Sequence, residues 1–160
     1  ERYVTELPGA LNLDLDAGRN DLDDHQAGLA ARAAGLERAR QRLQSGHDVV
    51  VPQLLARLPF IEALEQLARE TGADLHEVVL TAPKDDAIER FRRRAEQRLQ
   101  CGEADPQSDA IERAGGEQAL DATYDRLAAL ITSRPGAIVI AATTDEIDQT
   151  YSDLLRHLEP

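Results

Sequence analysis

Methionine is absent and cysteine occurs once, at Cys101, so no intramolecular disulfide forms and no cysteine cluster is available to bind zinc. Such sparing cysteine use fits a reducing, cytoplasmic setting. Aromatic residues make up only 3% of the chain, which leaves Leu, Val, Ile and Ala to build the core. No run of about 18 apolar residues occurs, and the first residues lack the basic and apolar regions of a signal peptide. Membrane insertion and secretion are therefore not expected. The four histidines, His25, His47, His76 and His157, include no i,i+4 pair, and there is no G-x-S-x-G elbow. Zinc chemistry and esterase chemistry both lose their support. The lack of methionine even at position 1 leads us to expect a natural chain longer than these 160 residues.

Basic residues are in the minority. The formal net charge of −12 argues against a general nucleic-acid binder or a protein of anionic membrane surfaces, because phosphates are repelled on average. A locally basic cleft is compatible with that balance. The acidic surface favours solubility and leaves the oligomeric state open.

With 160 residues and 42% hydrophobic content the chain reads as a single domain, 1–160. The segment Glu1 to Glu6 reads as the last turns of a helix, broken at Pro8-Gly9. Leu11 to Asp16 alternates with period two and reads as a strand ending in carboxylates. A helix is predicted from about Asp24 to Ser45, with Leu29, Leu36, Ala39 and Leu43 on its apolar face and Gly46 as its stop. The β-branched run His47 to Val51 reads as a buried parallel strand, and Leu58 to Thr71 as the helix after it. Leu75 to Leu80 is a further strand, and Pro83 to Gln100 a helix crowded with arginine. Gly102 to Gly116 has the composition of a mobile loop. Helix Glu117 to Thr132, strand Ala137 to Ala141 and helix Asp145 to Leu158, N-capped by Asp145, complete the chain. This βα alternation predicts an α/β fold with a three-layer parallel sheet flanked by helices. Ligands of such sheets sit beyond the carboxyl ends of the strands, which draws attention to Gln53.

The order Leu11-Asn12-Leu13-Asp14-Leu15-Asp16, then Gly46 to Gln53, then Ala87-Ile88-Glu89-Arg90-Phe91-Arg92-Arg93-Arg94 resembles the small P-loop kinases grouped with the AAA-type ATP-binding proteins of bacteria. Gluconate kinase, shikimate kinase, chloramphenicol phosphotransferase and zeta toxin share that layout. The resemblance implies a P-loop NTPase fold of the nucleotide-kinase type, ATP and Mg2+ as cofactors, and transfer of a phosphoryl group to a hydroxyl of a small molecule. One departure from the family is severe. The phosphate-binding loop G-x-x-x-x-G-K-[ST] is absent, and no Gly-Lys-Ser or Gly-Lys-Thr occurs anywhere. We expect that loop upstream of Glu1, and further residues absent near Ala17 to Asn20, where the spacing is shorter than the family's.

Phosphoryl transfer needs positioning, neutralisation of phosphate charge and a carboxylate for the acceptor hydroxyl. Asp14 and Asp16 alternate onto one face of their strand. By resemblance Asp16 is the catalytic base, although a short carboxylate at that position also suits a cap. Asp14 and Gln53 are candidate substrate contacts, Gln53 equally a polar strand terminus, and Arg19 resembles the family's substrate-binding arginine. Arg90, Arg92, Arg93, Arg94 and Arg98 form the one concentrated positive charge. Guanidinium groups donate in pairs to phosphate oxygens and stay charged, which suits that ligand. The resemblance makes Arg90 and Arg94 catalytic cations at the start of a lid, 90–116, and Arg93 a nucleotide contact. A solvated helix face paired with Glu89 and Glu96 is the alternative. Thr143 and Asp145, in the loop after the last strand, resemble residues beside the adenine, and equally a routine cap. A second reading of the whole is a degenerate nucleotide-binding protein that regulates or assembles without transferring phosphate.

Overall fold

The computed structural model describes residues 2–15, 25–53, 58–103, 105–142 and 146–158. Two compact units divide the chain, Glu1–Leu75 and His76–Pro160. Two thirds of the described residues are helical.

The first unit runs α1 (Arg2–Glu6), β1 (Leu11–Asn12), α2 (His25–Gln44), β2 (Val49–Val50) and α3 (Leu58–Thr71). Strands β1 and β2 pair in parallel, Leu11 with Val49 and Asn12 with Val50. The amide of Leu13 still donates to Val50, and among the described residues of the predicted strand Leu11 to Asp16 the paired ones are Leu11 and Asn12. The alternation nevertheless decides burial. Leu13 and Leu15 turn into the core while Asp14 faces outward. Around them pack Ala39, Phe60 and Leu67, with Leu36, Leu43 and Leu64 at the rim. On α3 the residues Phe60, Ile61, Leu64, Leu67 and Ala68 recur at helical spacing and supply its inner face. The part of α2 before Gly35 contributes less, and Leu29, expected inside, is exposed.

Helices α2 and α3 are also joined by charge. Arg40 Nη2 lies 2.7 Å from a Glu70 carboxylate oxygen. The amide of Gln66 and the guanidinium of Arg40, in that order, hold the Glu70 carboxyl below its ordinary value.

The second unit runs β3 (Val78–Thr81), α4 (Lys84–Gln100), α5 (Pro106–Arg113), α6 (Glu117–Ser133), β4 (Ile138–Ala141) and α7 (Ile147–Leu158). Strands β3 and β4 are parallel in the register Val78 with Ile138 through Thr81 with Ala141. A half-buried pair, Arg134 Nε with Glu77 Oε2 at 2.6 Å, ties the starts of both strands. Among the described residues of this unit, Ile140 is the one buried apolar side chain, and Leu80 and Val139 are about half exposed.

The expected three-layer parallel sheet of a P-loop NTPase is therefore corrected. The strands form two separate two-stranded parallel sheets, and helices dominate. The βα alternation that suggested the larger sheet is local, whereas strand pairing is not. Ladders of two and four residues hold each pair and no more. The segment with loop composition, Gly102 to Gly116, carries the helix α5. Its N-cap is Asp105, whose side chain accepts from the amide of Ser108 and, at 2.8 Å, from the Ser108 hydroxyl. Pro106 opens the helix, where its missing N–H costs nothing.

The first unit generates two predictions. Gly9 has φ 83, and a Cβ there would collide with the His47 ring, whereas at Gly46, φ 77, a Cβ meets nothing within 4 Å. Gly46→Ala should lose about 1–2 kcal/mol, the cost of the left-handed conformation alone, and Gly9→Ala distinctly more. Equilibrium urea unfolding of both variants checks the order. For Glu70, a depressed carboxyl pKa contributes stability that is present above the ordinary carboxylate range and lost as the pH falls through the folded value. Arg40→Gln should raise the Glu70 pKa toward its ordinary value, read from its carboxyl carbon resonance in a pH titration.

Candidate functional site: the arginine helix at the end of a parallel strand pair

The arginine run takes its place from the elements before it. β3 ends at Thr81, and Pro83, with φ −49 and ψ 143, turns the chain into α4. Asp85 and Asp86 fill the first turn, where carboxylates complement the helix dipole. The start of α4 is fastened to α6. Lys84 Nζ sits 2.8 Å from both Asp121 and Asp125 and 5.8 Å from the centre of the Tyr124 ring, and the Tyr124 hydroxyl donates to the carbonyl of Ala82 at 2.7 Å. Hydrogen bonds to Asp121 and then Asp125 hold the Lys84 ammonium above its ordinary pKa.

So anchored, α4 carries Arg90 to the carboxyl end of the strand pair. Arg90 Nη2 donates to the carbonyl of Ala142 at 2.9 Å, one residue past β4, and the amide of Ala142 donates in turn to Thr81 at the end of β3. The Nε of Arg90 is buried with no acceptor among the described residues. The other arginines divide by partner. Arg92 pairs with Glu117 at 2.6 Å, and Arg98 approaches the buried Asp105 at 3.8 Å. Arg94 donates to the amide oxygen of Gln107 at 2.9 Å and lies over the Phe91 ring, and no carboxylate among the described residues pairs with it. Arg93 is exposed and has no hydrogen bond or ion pair among the described residues. Arg93 and Arg94 stand three and four residues after Arg90, and so share its side of the helix.

The structure thus brings Arg90, Arg93 and Arg94 to one face of α4, with the Arg90 guanidinium at the carboxyl end of β4. In the first unit, Asp14 and Gln53 both come after the carboxyl ends of the parallel pair β1 and β2. Asp14 is exposed, and the Gln53 side-chain oxygen is buried without a hydrogen-bond partner among the described residues. Asp16, Arg19, Thr143 and Asp145 lie outside the described residues. Among the described residues no group of three or more His, Cys, Asp or Glu is arranged to hold a metal ion.

Three features of this region are not foreseen from the sequence: the Lys84 clasp, the Tyr124 bond and the Asp105 cap. The i,i+4 spacing of Asp121 and Asp125 is a visible signal for a basic partner, and Asp105-Pro106 is a visible helix start. Neither spacing names the partner, which lies up to about forty residues away.

Asp105 links the cap of α5 to Arg98 of α4, so Asp105→Ala should destabilise the chain by about 0.5–2 kcal/mol, the usual worth of an N-cap, while Asp105→Asn should recover most of that loss. Chemical unfolding of the two variants is the measurement. Compared with family models, with curated proteins and with solved structures, the chain matches none.

Proposed function

We propose that the chain is an ATP-dependent phosphotransferase acting on a hydroxyl of a small molecule, with the arginine face of α4 as its phosphate-binding element. One observation carries the reading: Arg90 sits at the carboxyl end of a parallel strand pair, held by the neutral carbonyl of Ala142. So held, it keeps its charge for an anion, and the carboxyl ends of parallel strands are where such ligands bind. Arg93 and Arg94 add two positive charges on the same face that no carboxylate among the described residues pairs. In an acidic chain this selects a compact anion such as the phosphates of a nucleotide.

In this reading the acceptor oxygen attacks the γ-phosphorus, the bond to the β–γ bridging oxygen breaks, and ADP leaves. The hydroxyl proton passes to a carboxylate, for which Asp16 is the sequence candidate. The sequence resemblance assigns Asp14, Arg19 and Gln53 to the acceptor and Thr143 and Asp145 to the nucleotide. Magnesium bound with the nucleotide would supply neutralisation of the phosphate charge. Low cysteine content and the acidic balance support a cytoplasmic setting and argue against nucleic acid as partner. Among the described residues no helix is long and apolar enough to cross a membrane.

A nucleotide-binding protein without transfer is the second reading. It is favoured by the sequence, in which these 160 residues hold no Gly-Lys-Ser or Gly-Lys-Thr of a phosphate-binding loop.

The test combines ATP titration with turnover against a panel of hydroxylated substrates. Arg93→Gln should weaken ATP binding about tenfold, the loss of one charge-assisted contact, whereas Arg92→Gln should leave it unchanged. Asp16→Asn should retain binding and reduce transfer by about two to four orders of magnitude. Tight ATP binding with no transfer to any acceptor selects the second reading, and the absence of ATP binding rejects both.

A further inference from the structure

The last turns of α2 carry a second basic feature, in the first unit and independent of the arginine face of α4. A depression of about 260 Å³ is lined by Leu11, Arg38, Gln41, Arg42 and Ser45. The four residues from Arg38 to Ser45 recur at i, i+3, i+4 and i+7, so they form one stripe at the end of α2 beside β1. Their partners differ from those of the neighbouring face. Arg40 there takes two carboxylates, Glu70 at 2.7 Å and Glu37 at 3.9 Å. Arg38 and Arg42 have no carboxylate and no side-chain hydrogen bond among the described residues, and Arg42 Nε is buried without an acceptor. Within a chain of net charge −12, two guanidinium groups on successive turns are left uncompensated.

The remaining polar lining residues are already committed. Gln41 Nε2 donates to Glu37 at 3.0 Å, and the Ser45 hydroxyl donates to the carbonyl of Arg42 at 2.8 Å and lies 3.3 Å from His47 Nδ1. The depression therefore offers a ligand two guanidinium forks beside the apolar Leu11.

We propose that this depression binds the phosphoryl group of a small phosphate ester, with Arg38 and Arg42 on the phosphate oxygens and Leu11 against the carbon portion. Guanidinium donates in parallel pairs to phosphate oxygens, and two of them match a dianion better than the single charge of a carboxylate. The volume lies below the ~300–1,000 Å³ of pockets that enclose drug-sized ligands, which points to a small ester and not a whole nucleotide.

The experiment tracks the arginine Nε–Hε resonances of the full chain during titration with inorganic phosphate and, separately, with acetate. Binding predicts a saturable shift of the Arg42 signal with phosphate and little with acetate, with Arg69, bonded to Gln66, as the unmoved reference. Arg38→Gln, an exposed substitution, should weaken the phosphate response about tenfold, the loss expected for one charge-assisted contact. Arg42→Lys keeps the charge but removes the fork, and should weaken the Arg38 response to the same degree. A linear, unsaturated drift of the Arg42 signal overturns the proposal. So does an equal response to acetate, or an affinity unchanged in Arg38→Gln.

Discussion

Two parallel strands cannot be joined by a tight turn, because the chain must travel back the length of the ladder before it can run in the same direction again. Each unit solves this with helices. In the first the crossover between β1 and β2 carries α2, and in the second the crossover between β3 and β4 carries α4, α5 and α6. The consequence for function is directional. Both strands of a pair end on the same side, so the residues after each strand are gathered there without any long-range instruction in the sequence. Asp14 and Gln53 leave one such end, and Ala142, bonded to Thr81 and receiving Arg90, marks the other.

Charge placement shows how an acidic chain holds a basic helix. α4 contains five arginines between Arg90 and Arg98, and like charges so close along one helix repel each other. Arg92 and Arg98 are offset by carboxylates of α6 and of the α5 cap, and Lys84 at the helix start is clasped by a pair of aspartates on α6. These contacts are exposed and individually worth little, with the exception that Asp105 is buried and also caps a helix. Their combined effect is to fix which face of α4 keeps free donors. The same sorting operates on α2, where Arg40 absorbs the available carboxylates and Arg38 and Arg42 are left over.

The legible part of the sequence was local. The helix read over Leu58 to Thr71 has those bounds in the structure, and the helix read from Glu117 extends one residue beyond Thr132. Strand positions were legible to within a few residues because β-branched runs and period-two alternation are local signals. Pairing was not, since the partner of Val78 lies sixty residues away at Ile138 and nothing in either run names the other. The larger sheet rests on alternation alone, and alternation is satisfied equally by two short parallel pairs. α5 reads as loop when Gly, Pro and Ser are weighed as breakers, although Asp105-Pro106 is also how a helix begins. For the candidate site the asymmetry is the same. The arginine run is visible as composition and spacing, but the feature that distinguishes Arg90 from its neighbours is a bond to a backbone carbonyl beyond β4.

That distinction bears on what the arginine face can do. A guanidinium wholly engaged by carboxylates contributes to the fold and has nothing left for a ligand, whereas one held by a neutral carbonyl keeps its charge and its remaining N–H groups. Arg90 and Arg94 are of the second kind, bound to the Ala142 carbonyl and the Gln107 amide, and Arg93 has no partner among the described residues. Holding a cation by neutral acceptors orients it without neutralising it. An anion arriving at this face therefore meets donors already positioned, and loses less of the ordering entropy that a flexible arginine would cost. The neutral partners of Arg90 and Arg94 are thus as much a part of the candidate site as the arginines themselves.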